Sequence, residues 1–225
     1  MLKLSGFWQS GGLMESSVKI VSKKHDNIVL RVIPGHFVTA NSHINYYIDM
    51  SLMKARQTEA GAIAKALSGQ YYSSTIVDTI LCLDGCEVIG AYLANYLTEA
   101  GIVSMNAHKS IYITTPEFIT GGQLIFRENM LPMIKNKHVL LLLTSATTGK
   151  TVSGAIDAIH YYSGHIAGIS AIFSAANKVY DYPIHSLFTI SDIPDYQTYS
   201  HEKCRMCKEA KPIDAIVNGF GYARM

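Results

Sequence analysis

Long apolar runs are missing from this chain. The longest candidate, Val139 to Leu143, is five residues, far short of the roughly 20 needed to cross a bilayer, so it is a core strand and no span is expected. Residues 1–24 lack the ordered basic, apolar and small-residue zones of a secretory signal. Clustered basic charge is missing too. Nineteen Lys and Arg against 17 Asp and Glu leave a net charge of +2, scattered along the chain, which argues against a nucleic-acid partner. Cysteine is scarce. Four thiols without an export signal read as reduced groups in a cytosolic protein. There is no internal repeat and no low-complexity segment. What is present is a 48% apolar composition over 225 residues, enough for one good-sized α/β domain with a small appended lobe and too apolar for a disordered chain. An enzyme of intracellular metabolism is the class these features favour.

The first 50 residues read as irregular, with Gly11-Gly12, a strand-like stretch from Ile28 to Ile33, and Pro34-Gly35. From Ser51 to Gly69, Leu52, Ala55, Ala62, Ile63, Ala66 and Leu67 recur at helical spacing. Ile76 to Leu83 is a β-branched run closing on Asp84-Gly85, and Glu87 to Ala100 follows as a helix stopped by Gly101. Short strands are expected at Ile102–Met105 and Ser110–Thr114. Thr115 to Gly122, with Pro116 and Gly121-Gly122, reads as a mobile loop. Val139 to Leu143 is apolar on consecutive residues, as a parallel strand covered on both faces requires. Gly149 to Ser163 carries Val152, Ala155, Ile156 and Ile159 at helical spacing, and Ile166–Phe173 and Leu187–Ile190 supply two more strands. The alternation of strand and helix predicts right-handed βαβ units and a parallel sheet. The tail from Asp195 to Met225 reads as polar and irregular.

In an open α/β sheet, ligands lie beyond the carboxyl ends of the strands, so the turn after Leu143 carries the first functional expectation. It reads Thr144-Ser145-Ala146-Thr147-Thr148-Gly149-Lys150-Thr151 and opens straight into a helix. Hydroxyls, a glycine allowing close backbone approach, and free N–H groups at a helix start make an anion cradle. The plainer alternative is that the threonines only cap the helix. The match to a Walker-type P-loop is broken, because Thr144 stands where that motif needs its first glycine. Lys150 either contacts phosphate or points to solvent.

The segment Val139 to Val152 resembles the ribose-phosphate motif of the type I phosphoribosyltransferases, and the orotate branch is the most similar. Phe37 to Asp49, with His43, Tyr46 and Tyr47, is similar to that branch's substrate loop. Leu83 to Ala91, with Asp84, Gly85 and Cys86, sits where the branch has its pyrophosphate-binding turn, and Ile213 to Tyr222 is the kind of tail that returns to the hood lobe. The resemblance covers the chain from residue 37 onward. It implies an α/β fold with a mainly parallel five-stranded sheet flanked by helices and a small hood lobe. The division it implies is a hood and substrate-loop segment over 1–50, a core over 51–194 and a returning tail over 195–225. It also implies transfer of the phosphoribosyl group from 5-phosphoribosyl-1-diphosphate to orotate with Mg²⁺, in a homodimer, with no membrane or nucleic-acid partner. His43, Tyr46 and Tyr47 would meet the base; for each tyrosine, packing into the core is the competing role. Phe7 and Trp8 would anchor the hood, and Tyr161-Tyr162 would pack a lobe or dimer contact.

The chain departs from the family in the groups that handle ribose and diphosphate. Thr144-Ser145 stand in place of two adjacent acids that hold the ribose hydroxyls. A hydrogen bond to a carboxylate is worth roughly 1.5–3 kcal/mol, so losing two costs about 4 kcal/mol, or on the order of 10³ in rate. Thr114-Thr115 replace a basic pair, and Thr114 to Gln123 holds no cation but does hold Glu117. Asp84 and Glu87 would repel a diphosphate unless a cation sat between them. The catalytic residues are thus unassigned, and two further readings stand beside transfer to orotate: a weakened homologue that binds a nucleoside monophosphate or phosphoribosyl ligand, and transfer to another base.

His201, Cys204 and Cys207 form an H-x₂-C-x₂-C cluster in the tail. Two thiolates at that spacing chelate Zn²⁺, with His201 as a third ligand, or they remain free thiols. Cys82 and Cys86 would be a partner pair, but Cys82 falls in the core strand.

Overall fold

The computed structural model describes residues 17–120 and 122–224; Phe7, Trp8 and Gly121 lie outside them. In chain order the elements are β1 (Val18–Val21), β2 (Val29–Val38), β3 (His43–Asp49), α1 (Ser51–Ala55), α2 (Gln57–Ser68), β4 (Thr79–Cys82), α3 (Glu87–Glu99), β5 (Tyr112–Thr114), β6 (Glu117–Phe118), β7 (Leu124–Ile125), β8 (His138–Ala146), α4 (Lys150–Tyr161), β9 (His165–Ser174), β10 (Lys178–Val179), β11 (Tyr182–Thr189), β12 (Thr198–Tyr199), α5 (Arg205–Lys208), β13 (Ala215–Asn218) and β14 (Gly221–Arg224).

The central sheet runs β10-β11-β9-β8-β4-β5. Its five strands β11, β9, β8, β4 and β5 are parallel, and only the two-residue edge strand β10 is antiparallel. β8 shows why an unbroken apolar run belongs at the centre of such a sheet. Side chains alternate between faces. Leu140 and Leu142 enter one cluster with Ile63, Leu67, Ile89 and Leu93 of α2 and α3. Val139, Leu141 and Leu143 enter the opposite cluster with Val152, Ile156 and Ile159 of α4. All five are fully buried, which contributes about 1.5–3 kcal/mol each.

A second sheet, the hood, is ordered β12-β3-β2-β13-β14, with β1 paired to β2. It joins the two ends of the described chain, because β13 lies parallel to β2 at Ala215–Phe37 and β12 pairs with β3 at Tyr199–His43. β2 serves both layers. Leu30 and Val32 pack into the main core, while Phe37 joins Ile33, Ile44, Tyr47, Ala215 and Val217 in a small core of the hood's own. The β2–β3 register shifts between Pro34 and Phe37, a bulge placed where proline cannot donate to the ladder.

Several local expectations are corrected. The helix expected from Ser51 to Gly69 is two helices, because Arg56 takes an extended conformation between α1 and α2. Ile102–Met105 is not a strand; residues 101–103 form a 3-10 turn in which Ile102 and Val103 are exposed. The segment expected as a mobile loop, Thr115 to Gly122, contains β6, which pairs with β7 just beyond it, and Glu117 is held by a two-pronged ion pair with Arg127 at 2.7 Å on each prong. The tail is not irregular but supplies three hood strands and α5.

Candidate active site

The core strands follow one another in the chain as β4, β5, β8, β9 and β11, yet lie in the order β5-β4-β8-β9-β11. The winding direction therefore reverses between β4 and β8, and a crevice opens beyond the carboxyl ends of those two strands. Two turns meet in it. After β4, Asp84 (φ 56°) and Gly85 (φ 78°) both take left-handed backbone. After β8, Thr147 and Thr148 lead to Gly149 at φ 76°, which is itself the N-cap of α4. Neither threonine caps the helix, because no side-chain hydrogen bond closes that N-terminus. The first N–H groups of a twelve-residue helix consequently face the crevice without a side-chain partner, the arrangement that favours an anion.

The cavity there has a volume of about 450 Å³, within the roughly 300–1,000 Å³ usual for small-molecule sites. Its core wall is Asp84 and the continuous stretch Thr144 to Val152; its hood wall includes Thr39, Asn41, Tyr47, Gly219 and Phe220, and Lys54 of α1 and Tyr196 complete the lining. Every residue of the expected phosphate and ribose turn, Thr144 through Thr151, lines this one cavity. Tyr47 lines it as well, its ring held edge-on by Tyr222 at 5.4 Å and tilted against Phe37 at 5.9 Å. Burial first, then the Asp49 and Tyr222 charges, push the Tyr47 phenol up to about 12, so it stays a neutral donor.

Asp84 is the one carboxylate among the described lining residues. Burial raises its pKa, opposed by the Thr144 hydroxyl, which donates to Oδ2 at 3.1 Å, and by Lys54. Lys54 Nζ donates to the carbonyls of Asp84 at 2.6 Å and Gly219 at 2.5 Å and lies 5.4 Å from the centre of the Phe220 ring. It therefore ties the core turn to the β13–β14 hairpin. Gly219 is required for that contact, because a Cβ there would collide with the Asp84 carboxylate. The Tyr196 hydroxyl is buried with no hydrogen-bond partner among the described residues, while its ring packs edge-on to Phe173 at 5.2 Å.

The structure places other expected site residues elsewhere. Gly85 and Cys86 do not line the cavity; Cys86 is fully buried in the main core, where burial and then Cys82 hold its thiol well above the usual range. Cys82 is buried beside it, so this pair is not a metal pair. Tyr46 packs against the main core rather than facing the cavity. His43 is not among the cavity-lining residues and faces His36 and Cys207. His201 stacks edge-on to His43, with ring centres 5.0 Å apart, and is not part of the donor group formed by His36, His43, Cys204 and Cys207.

Lys54, Tyr196, Phe220 and His36 carry no spacing signal in the sequence and emerge only here. The cavity does not fit a protein-held Mg²⁺. Such ions want oxygen donors, commonly one or two carboxylates beside substrate phosphates, and the single carboxylate available is buried, accepts from Thr144 and has a raised pKa. No described helix is long and apolar enough to cross a membrane.

No protein-family model matches the chain. It is 24% identical over 190 residues to the orotate phosphoribosyltransferase of Chlorobium phaeobacteroides and 23% identical over 188 residues to that of Chlorobaculum parvum, each match covering 82% of this chain and 88% of the relative. Among solved structures, Leishmania donovani UMP synthase superposes with a TM-score of 0.51 at 16% identity, over 71% of this chain and 34% of that one. Sheet order, crevice and relatives agree: this chain has the type I phosphoribosyltransferase fold and is similar in sequence to the orotate branch of that family.

Proposed function

We propose that this protein is an orotate phosphoribosyltransferase-like enzyme whose cavity holds 5-phosphoribosyl-1-diphosphate or a pyrimidine nucleoside monophosphate. The single observation that carries the reading is the uncapped N-terminus of α4 behind the left-handed Gly149, at the switch point of the sheet. The ribose 5′-phosphate lies in the Thr147–Thr151 turn, receiving backbone N–H and threonine hydroxyl donors. The ribose faces Thr144 and Ser145, and the base lies toward the hood between Tyr47 and Phe220, a residue 76% exposed whose ring can stack. The Tyr196 hydroxyl, unpartnered among the described residues, gives the ligand a hydrogen-bonding group at the same wall.

A second reading, binding with slow transfer, is favoured by one further observation. The ammonium of Lys54, the cation acting on Asp84, already donates to two backbone carbonyls, and the described lining residues include no pair of carboxylates to hold the ribose hydroxyls. Titration with orotidine monophosphate, alongside pyrophosphate release from 5-phosphoribosyl-1-diphosphate and orotate with Mg²⁺ supplied, separates the two. Binding with turnover at ordinary enzymic rates supports the enzyme. Binding without turnover supports the second reading, and no binding of either ligand overturns both. Restoring acids must respect the geometry. Thr144→Asp would set a second carboxylate against Asp84 Oδ2, so Ser145→Asp, at a half-buried position, is the gain-of-activity variant to make first.

A further inference from the structure

Four donors outside the cavity converge on one point: His36 Nε2, His43 Nδ1, Cys204 Sγ and Cys207 Sγ all lie within 4.8 Å of one another. The nitrogens are 2.8 Å apart, Cys207 Sγ is 3.3 Å from His43 Nδ1, and each sulfur is 3.6 Å from His36 Nε2. A tetrahedral zinc with Zn–S near 2.3 Å and Zn–N near 2.05 Å separates its ligands by about 3.3 Å for two nitrogens and about 3.6 Å for nitrogen and sulfur. The two nitrogen–sulfur spacings from His36 already have this value, the Cys207–His43 spacing is about 0.3 Å shorter, and the nitrogens need to part by about 0.5 Å. The alternative is a hydrogen bond between two buried imidazoles flanked by two thiols.

The surroundings of His36 favour the metal. Its Nδ1 donates to the Lys211 carbonyl at 2.9 Å, which leaves the Nε2 lone pair aimed into the cluster, the outer contact by which metal-binding histidines fix their tautomer. Its backbone N–H donates to Asp214 Oδ2 at 2.7 Å, and the Asp214 N–H returns a bond to the His36 carbonyl at 2.8 Å. His36 is fully buried, Cys204 nearly so and His43 6% exposed. Two sulfurs and two nitrogens suit Zn²⁺ rather than Mg²⁺ or Ca²⁺.

We propose that His36, His43, Cys204 and Cys207 bind one structural Zn²⁺ that fastens the α5 segment to the hood sheet. The segment needs such a fastening. α5 has four residues and β12 two, too few to hold by themselves, and among the described residues the hood's own core has six buried side chains. The site is independent of what the cavity binds. It nonetheless bears on it, because the two histidines flank the loop whose Thr39, Ala40 and Asn41 line the cavity wall.

Full-length protein, purified without chelator and with reduced thiols, is expected to contain one zinc per chain by elemental analysis. Replacement by Co²⁺ should give the intense visible absorption and thiolate charge-transfer bands of a tetrahedral S₂N₂ site. Cys207→Ser, at an exposed position, should lose the bands and at least tenfold in zinc affinity, while His201→Ala should keep both. Wild-type protein that is folded by circular dichroism yet takes up no zinc or cobalt overturns the proposal, whether or not any variant folds. Unchanged affinity in Cys207→Ser overturns it as well, and loss of the bands in His201→Ala overturns the donor set.

Discussion

Lys54→Met tests how the hood is fixed to the core. The substitution keeps the aliphatic stem and removes the ammonium, leaving the Asp84 and Gly219 carbonyls without the donor they share. Hydrogen bonds to a charged group contribute about 1.5–3 kcal/mol each. Lys54 is only half-buried, so solvent offsets part of this and about 2–4 kcal/mol in total is expected. For a chain of this size each kcal/mol moves the melting temperature by about 2–4 °C, which places the expected fall at about 4–16 °C. The loss should be specific in space. Amide hydrogen exchange should accelerate in β13, β14 and the Asp84 turn before it does so in β8 or β9, the largely buried inner strands of the central sheet. A melting temperature within a degree of wild type, or uniform exchange changes across both sheets, would refute the idea that this lysine joins the layers. If Lys54 instead serves a ligand phosphate, the variant would lose nucleotide affinity while its stability stayed constant.

Three other outcomes are expected. Tyr196→Phe removes a buried hydroxyl with no partner among the described residues, so the free protein should melt slightly higher while orotidine monophosphate binds about fivefold more weakly, the loss of about 1 kcal/mol, as read by calorimetry. Gly149→Ala forces a side chain into left-handed backbone at a cost of about 1–2 kcal/mol, and its Cβ would lie 2.9 Å from Val179 Cγ2; melting should fall by about 2–8 °C and inorganic phosphate binding should weaken in the same samples. Asp84→Asn tests a pH dependence. Burial raises the folded pKa of Asp84 above its unfolded value of 3.8, so the ionised form lowers folded stability at neutral pH, and that penalty fades as pH falls through the folded pKa toward the unfolded one. The variant should melt above wild type at pH 7, with the gap closing near 3.8; a gap that widens on acidification contradicts the assignment.

The sequence by itself determined the central strand β8 and the glycine turn and helix that follow it, because all three are written in neighbouring residues. Five consecutive aliphatics suit a strand covered on both faces, and β8 feeds one cluster with Leu140 and Leu142 and the other with Val139, Leu141 and Leu143. The glycine needed at Gly149 and the helix after it are equally local. The tertiary structure decided what the rest of the chain does. Thr144 has no reason in the sequence to touch Asp84, 60 positions away, yet parallel pairing of β4 with β8 sets their carboxyl ends side by side. The tail looked irregular because its strands have two to four residues, too short to show a period, and they are held by pairing with β2 and β3 rather than by their own pattern. The metal question turned on the same physics. H-x₂-C-x₂-C put His201 beside Cys204 and Cys207 by local spacing, but the imidazoles that face those sulfurs belong to His36 and His43, more than 160 positions earlier. Strand register brought them there, and register is a property of the folded sheet that no local spacing records.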